Sequence, residues 1–176
     1  MTYLEADAVL SPCGLYRYLL TRTWNPDRGA VAFVMLNPST ADHRADDPTI
    51  RRCVAFADAW GYGRLVVVNL FALRATDPSE LRRSADPIGP DNDYHIAGQC
   101  AGRTVVAAWG GVASKWPHPK WAERARAVRK LIGSTACVEH LGLTADGCPK
   151  HPLARGKHRV PDGVKPQPFP PPAGAT

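Results

Sequence analysis

Four apolar runs are each followed at once by side chains that can do chemistry. Residues 30–36 (AVAFVML) lead into Asn37-Pro38-Ser39-Thr40, and residues 65–70 (LVVVNL) carry Asn69 near their end, before Phe71 and Arg74. Residues 104–109 (TVVAAW) close on Trp109-Gly110-Gly111, and residues 136–143 precede Lys150-His151-Pro152 and then Arg155 and Lys157. An asparagine amide offers one acceptor and two donors, enough to read an amide-like edge of a ligand. A neutral imidazole supplies a directed N–H that can meet a developing oxyanion. Aromatic rings such as Phe71 and Trp109 can stack on a flat ligand. The cations Arg74, Lys150, Arg155, Lys157 and Arg159 suit phosphate groups. Asp42, Asp46 and Asp47 lie in the loop after the first run and are the nearby acids. Asp47, directly before Pro48, also has the position of a helix cap, and Asp42 that of a group able to assist a water.

The elements that would position these residues alternate along the chain. Residues 16–24 (YRYLLTRTW) alternate and are rich in aromatic and β-branched types, which predicts a strand. The runs at 30–36, 65–70 and 104–109 are continuous and apolar, as strands buried on both faces are. The run at 136–143 is a weaker fourth. Between them, residues 47–60, 91–101 and 121–132 repeat apolar positions at helical spacing, the first opened by Asp47 and Pro48. This order predicts an α/β fold in three layers: a four-stranded parallel sheet flanked by helices, with one extra N-terminal strand. Ligands in such sheets bind beyond the carboxyl ends of the strands, which is where Asn37, Asn69, Trp109 and His151 fall.

Two resemblances follow from these residues. Met35-Leu36-Asn37-Pro38-Ser39-Thr40-Ala41-Asp42, Asp47-Pro48-Thr49, Trp60-Gly61, Val68-Asn69-Leu70-Phe71-Ala72 and Arg74 resemble a bacterial and phage family known as domain of unknown function 1643, over about residues 16–158. More distantly, Asn37-Pro38, Asn69, Trp109-Gly110 and His151-Pro152 resemble, in order, the strand-end motifs of the uracil-DNA glycosylase superfamily. That resemblance implies N-glycosidic chemistry on a base in DNA or in a nucleotide. Asn37 would orient a water, His151 would donate to the leaving base, and Asp42 would assist as the acid. Asn69 would read the base edge, with Phe71 or Trp109 stacking and Arg74, Arg155 and Lys157 holding phosphate. The sequence departs from that superfamily at Met35 and Leu36, at Ser39 and at Leu153-Ala154. Two other readings stay open beside the enzyme: a non-catalytic nucleotide- or nucleic-acid-binding module, and a base-modification or salvage enzyme of phage type.

Composition bounds the rest. With 44% hydrophobic and 22% charged residues over 176 positions, the chain can bury a core without disulfide or metal staples. The formal net charge of +6 permits a polyanionic partner without requiring one. No apolar run is long enough to span a membrane, the first residues do not read as a secretory signal, and five scattered cysteines predict free thiols in a reducing cytoplasm. No cofactor or metal is called for, and no P-loop, dinucleotide fingerprint or zincin motif is present. Residues 1–159 read as one domain, and the proline-rich residues 160–176 as a disordered tail.

Overall fold

Helix α1 (Pro48–Ala59) shows how local sequence sets up the architecture. The Asp47 side chain accepts the Ile50 backbone N–H at 2.9 Å, so the first turn has its cap, and Pro48 occupies the position where no donor is needed. Ile50, Cys53, Val54, Phe56 and Ala57 are buried on its inner stripe. Gly61, at φ +89, ends it. The computed structural model describes residues 1–111, 119–133 and 136–169.

The strands are β1 (Glu5–Leu10), β2 (Arg17–Thr23), β3 (Ala30–Met35), β4 (Arg64–Asn69), β5 (Thr104–Ala107), β6 (Cys137–His140) and β7 (Gln167–Pro168). The other helices are α2 (Glu80–Arg83), α3 (Asn92–Cys100) and α4 (Pro119–Ile132). All seven strands form one mixed sheet in the order β1-β2-β4-β3-β5-β6-β7. The four anticipated runs share this sheet: β3 pairs in parallel with β4 and β5, and β5 with β6. The sheet is larger than the four strands plus one read from the sequence. β2 joins β4 antiparallel, β1 extends that edge, and β7 closes the other edge against β6.

Strand alternation divides the core. Val31, Phe33 and Met35 face α1, together with Leu65 and Val67. Ala32 and Val34 face the opposite layer, where Ile96 and Cys100 of α3 and Trp121, Val128 and Ile132 of α4 cover the sheet. The connection from β3 leads through α1 to β4 on one side, whereas β5 leads through α4 to β6 on the other. The chain therefore diverges between β3 and β5, and a crevice opens at their carboxyl ends.

The expected disordered tail is corrected over residues 160–169. Val160 is 1% exposed and joins the α1-side core. Arg52 of α1 donates to the Val160 carbonyl at 2.6 Å and pairs with Asp162 at 2.7 Å. Trp60 Nε1 donates to the Val164 carbonyl at 2.8 Å. Phe169 lies under Arg129, whose guanidinium carbon is 4.2 Å from the ring centroid, and beside Trp109. A proline-rich segment needs no hydrogen-bond ladder of its own when side chains of neighbouring elements satisfy its carbonyls. Residues 170–176 of that expectation lie outside the described residues.

Candidate functional site

The crevice is a cavity of about 580 Å³, within the range of small-molecule pockets. Asn37 from the β3 end, Asn69 from β4, Trp109 and Gly110 after β5, and His151 and Arg155 after β6 all line it. Residues widely separated along the chain thus meet at one edge of the sheet.

Asn69 is the last residue of β4 and only 1% exposed. Its Nδ2 is buried and has no hydrogen-bond partner among the described residues. The loop carbonyls next to it are already served, since Asn92 Nδ2 donates to the carbonyls of Asn69 and Leu70 at 3.0 and 3.1 Å. The Asn69 Nδ2 is therefore not used to hold its own loop. Asn37 is different. Its Nδ2 donates to the carbonyls of Pro38 and Ala75 at 2.9 and 2.7 Å, tying the β3 loop to the β4 loop. Only its Oδ1 remains to meet a ligand.

His151 is fixed by its own turn. Its Nδ1 accepts the Leu153 N–H at 3.1 Å, so the proton of the neutral ring sits on Nε2. Burial pushes the imidazole down to about 4, against a weaker upward pull from Asp47. Near pH 7 the ring is thus a neutral donor. Gly110, at φ +81, lets the β5 loop pass close by: a Cβ there would stand 3.2 Å from the His151 Cβ. Arg52 Nε holds the Pro152 carbonyl at 2.9 Å and so anchors the His-Pro loop to α1.

Asp47 replaces Asp42 as the carboxylate of the site. Asp42 is turned into its own loop, where it accepts the N–H groups of Arg44 and Ala45 at 2.7 and 3.0 Å. Those bonds hold its carboxyl below the usual range, and the residue does not line the cavity. Asp46 is committed to Arg22 at 2.8 Å and to the Tyr3 hydroxyl at 2.5 Å. Asp47 lines the cavity while also capping α1.

Three further candidates lie outside the main cavity. Phe71 is 3% exposed and packs on Trp121, with ring centroids 5.9 Å apart, in the core beneath α4 rather than at the cavity. It lies two residues past Asn69, and its N–H is drawn to the Leu36 carbonyl at 3.0 Å, which ties that backbone to the β3 end. Lys157 is exposed on a 3-10 turn (Gly156–His158) and does not line the cavity, whereas Arg155 and His158 do. Arg74 lines a shallower depression next door.

Arg17 is the site residue that pattern reading missed. It opens β2, is 2% exposed and lines the cavity. The available signal was a guanidinium at the start of a strand whose next three residues are Tyr18, Leu19 and Leu20, since a cation requires a partner once buried. Arg17, Lys150 and Arg155 face one carboxylate, Asp47, so the cavity wall favours an anionic ligand. Among the described residues, no group of three or more His, Cys, Asp and Glu is placed to hold a metal ion, and no helix is long and apolar enough to cross a membrane.

Fold and cavity together define an α/β protein with a cation-lined cavity at the carboxyl edge of its parallel strands. The chain belongs to the family described as protein of unknown function (DUF1643), whose model matches residues 17–153. No curated protein and no solved structure matches it.

Proposed function

We propose that the cavity recognises the base of a nucleotide or nucleic acid, in the manner of the uracil-DNA glycosylase superfamily, and hydrolyses its N-glycosidic bond. The observation that carries this reading is Asn69: a fully buried amide whose Nδ2 has no partner among the described residues, in a cavity that His151 also lines. An unpaired buried donor costs about 1–3 kcal/mol, so its retention suits a group that a ligand satisfies. The amide reads the base edge, and the Trp109 ring lines the wall for the base face.

Hydrolysis breaks the bond from the sugar's anomeric carbon to the base nitrogen, and the electron pair leaves with the base. Charge spreads to a base carbonyl oxygen, where the neutral His151 Nε2–H stabilises it. Water supplies the new bond to the anomeric carbon, and its proton passes to Asp47. Asn37 Oδ1 orients that water by accepting one of its hydrogens. Asp47 favours hydrolysis over binding alone because it is a carboxylate lining the cavity that can take the water's proton.

The test is a screen of bases, nucleosides, nucleotides and single- and double-stranded DNA, read by thermal shift and by release of free base. Asn69→Ala is expected to weaken binding at least tenfold while leaving stability within about 1 kcal/mol, since Nδ2 makes no hydrogen bond among the described residues. His151→Ala and Asp47→Asn are expected to lower kcat more than they raise KM. If Asn69→Ala stays folded and changes no ligand's affinity, the amide does not read the base and the proposal fails.

A further inference from the structure

We infer that the cavity continues past Ser39, Ala75 and Thr76 into a phosphate subsite built by Arg17 and Arg74, which makes the ligand a phosphate-bearing nucleotide rather than a free base. The base half of that statement rests on the function proposed above, whereas the anion subsite stands on its own geometry.

Ser39, Ala75 and Thr76 line both the main cavity and the shallower depression that holds Arg74 and Thr40. Tyr16 and Leu73 pair antiparallel, the Arg17 N–H donates to the Ala72 carbonyl, and the Arg74 N–H donates to that of Leu15, each at 2.9 Å. This pairing puts Arg17 and Arg74 on the same face of the ribbon.

Among the described residues the guanidinium of Arg17 has one acceptor, the Ala41 carbonyl on Nη1, and its buried Nε has no partner. The Nε–Nη2 edge, which is the geometry that grips two oxygens of one anion, is left unused. Arg74 donates from Nη1 to the Gly14 carbonyl at 3.2 Å, and its Nε is likewise buried and unpartnered. Besides Arg17, the deeply buried guanidiniums are neutralised in place, Arg22 by Asp46 at 2.8 Å and Arg124 by Asp93 at 2.5 Å. Neither Arg17 nor Arg74 has such an ion pair among the described residues. Burial draws Arg17 down to about 10, Asp47 offsets part of this, and Arg74 adds to the fall.

Two guanidiniums near each other call for more charge than one carboxylate brings. A phosphate monoester carries about −1.5 to −2 near pH 7 and three acceptor oxygens. The hydroxyls of Ser39, Thr40 and Thr76 stand beside it as further donors.

The experiment titrates the full chain with inorganic phosphate, with a nucleoside and with its 5′-monophosphate, by calorimetry and thermal shift. Phosphate alone is expected to bind the wild type and Asn69→Ala equally, and Arg74→Gln at least tenfold more weakly. Arg17→Lys, which keeps the charge and loses the fork, is expected to show the same loss. The monophosphate should bind at least tenfold tighter than the nucleoside in the wild type and no tighter in Arg74→Gln. Phosphate binding by the wild type with no response to any nucleoside supports the subsite and removes the base reading alone. The inference is overturned if phosphate fails to bind the wild type, if Arg74→Gln binds it unchanged, or if the loss appears in Arg155→Gln instead.

Discussion

His151→Gln should remove a specific part of the protein's sensitivity to acid. Burial holds the imidazole at about 4 in the fold, against 6.5 for an ordinary histidine. As pH falls below about 6.5, the unfolded chain takes up this proton and the folded chain does not. The stability contributed by the neutral ring is therefore complete above about pH 6.5, declines as pH falls toward 4, and is gone below it. At about 1.4 kcal/mol per pH unit, that interval is worth on the order of 3 kcal/mol, reduced to about 2 by the ring's partial exposure. Urea unfolding of wild type and variant between about pH 7.5 and 4 isolates the effect, because His95, His140 and the carboxylates contribute equally to both. The stability advantage of the wild type over the variant should shrink by about 2–3 kcal/mol across that interval. The same property has a functional side, since a ring that stays neutral donates Nε2–H without adding charge to a site already rich in cations. A constant difference between the two proteins, or an NMR titration of His151 centred near 6.5, would refute both the burial argument and the neutral-donor role.

Removing residues 160–176 should cost about 3–5 kcal/mol, from the buried Val160 side chain and the bonds made by Arg52 and Trp60. In a domain of this size that lowers Tm by on the order of 10 °C, and an unchanged Tm would show that the segment does not dock. Gly110→Ala places a Cβ 3.2 Å from that of His151 on a left-handed residue, so it should destabilise by about 1–2 kcal/mol and weaken ligand binding, whereas full retention of both would mean that the two loops are not in contact. Arg155→Gln should weaken binding of a nucleotide less than Arg74→Gln does, and Lys157→Gln should not weaken it. Equal effects of the two would mean that the whole loop acts as a diffuse charge.

The alternating apolar runs and helical repeats carried the α/β organisation in the sequence, because strand and helix periods are local properties of neighbouring residues. The Asp47-Pro48 cap was legible for the same reason, as were Asn37, Asn69, Trp109 and His151 as strand-end residues. β1 and β7 were not, because an edge strand is made by the neighbour it pairs with, and EADAVL or a two-residue Gln-Pro segment has little pattern of its own. The docking of residues 160–169 was hidden likewise: Arg52 and Trp60 supply its partners from more than 100 positions away. The choice between Asp42 and Asp47 turned on which carboxylate its own loop leaves facing the cavity. Phe71 and Arg17 exchanged roles on similar grounds. Burial of an aromatic ring beneath α4, and of a cation at the mouth of β2, depends on which layer each face of the sheet meets. Sequence periodicity can say that two residues share a face, but only the packed layers decide whether that face looks into the core or into the cavity.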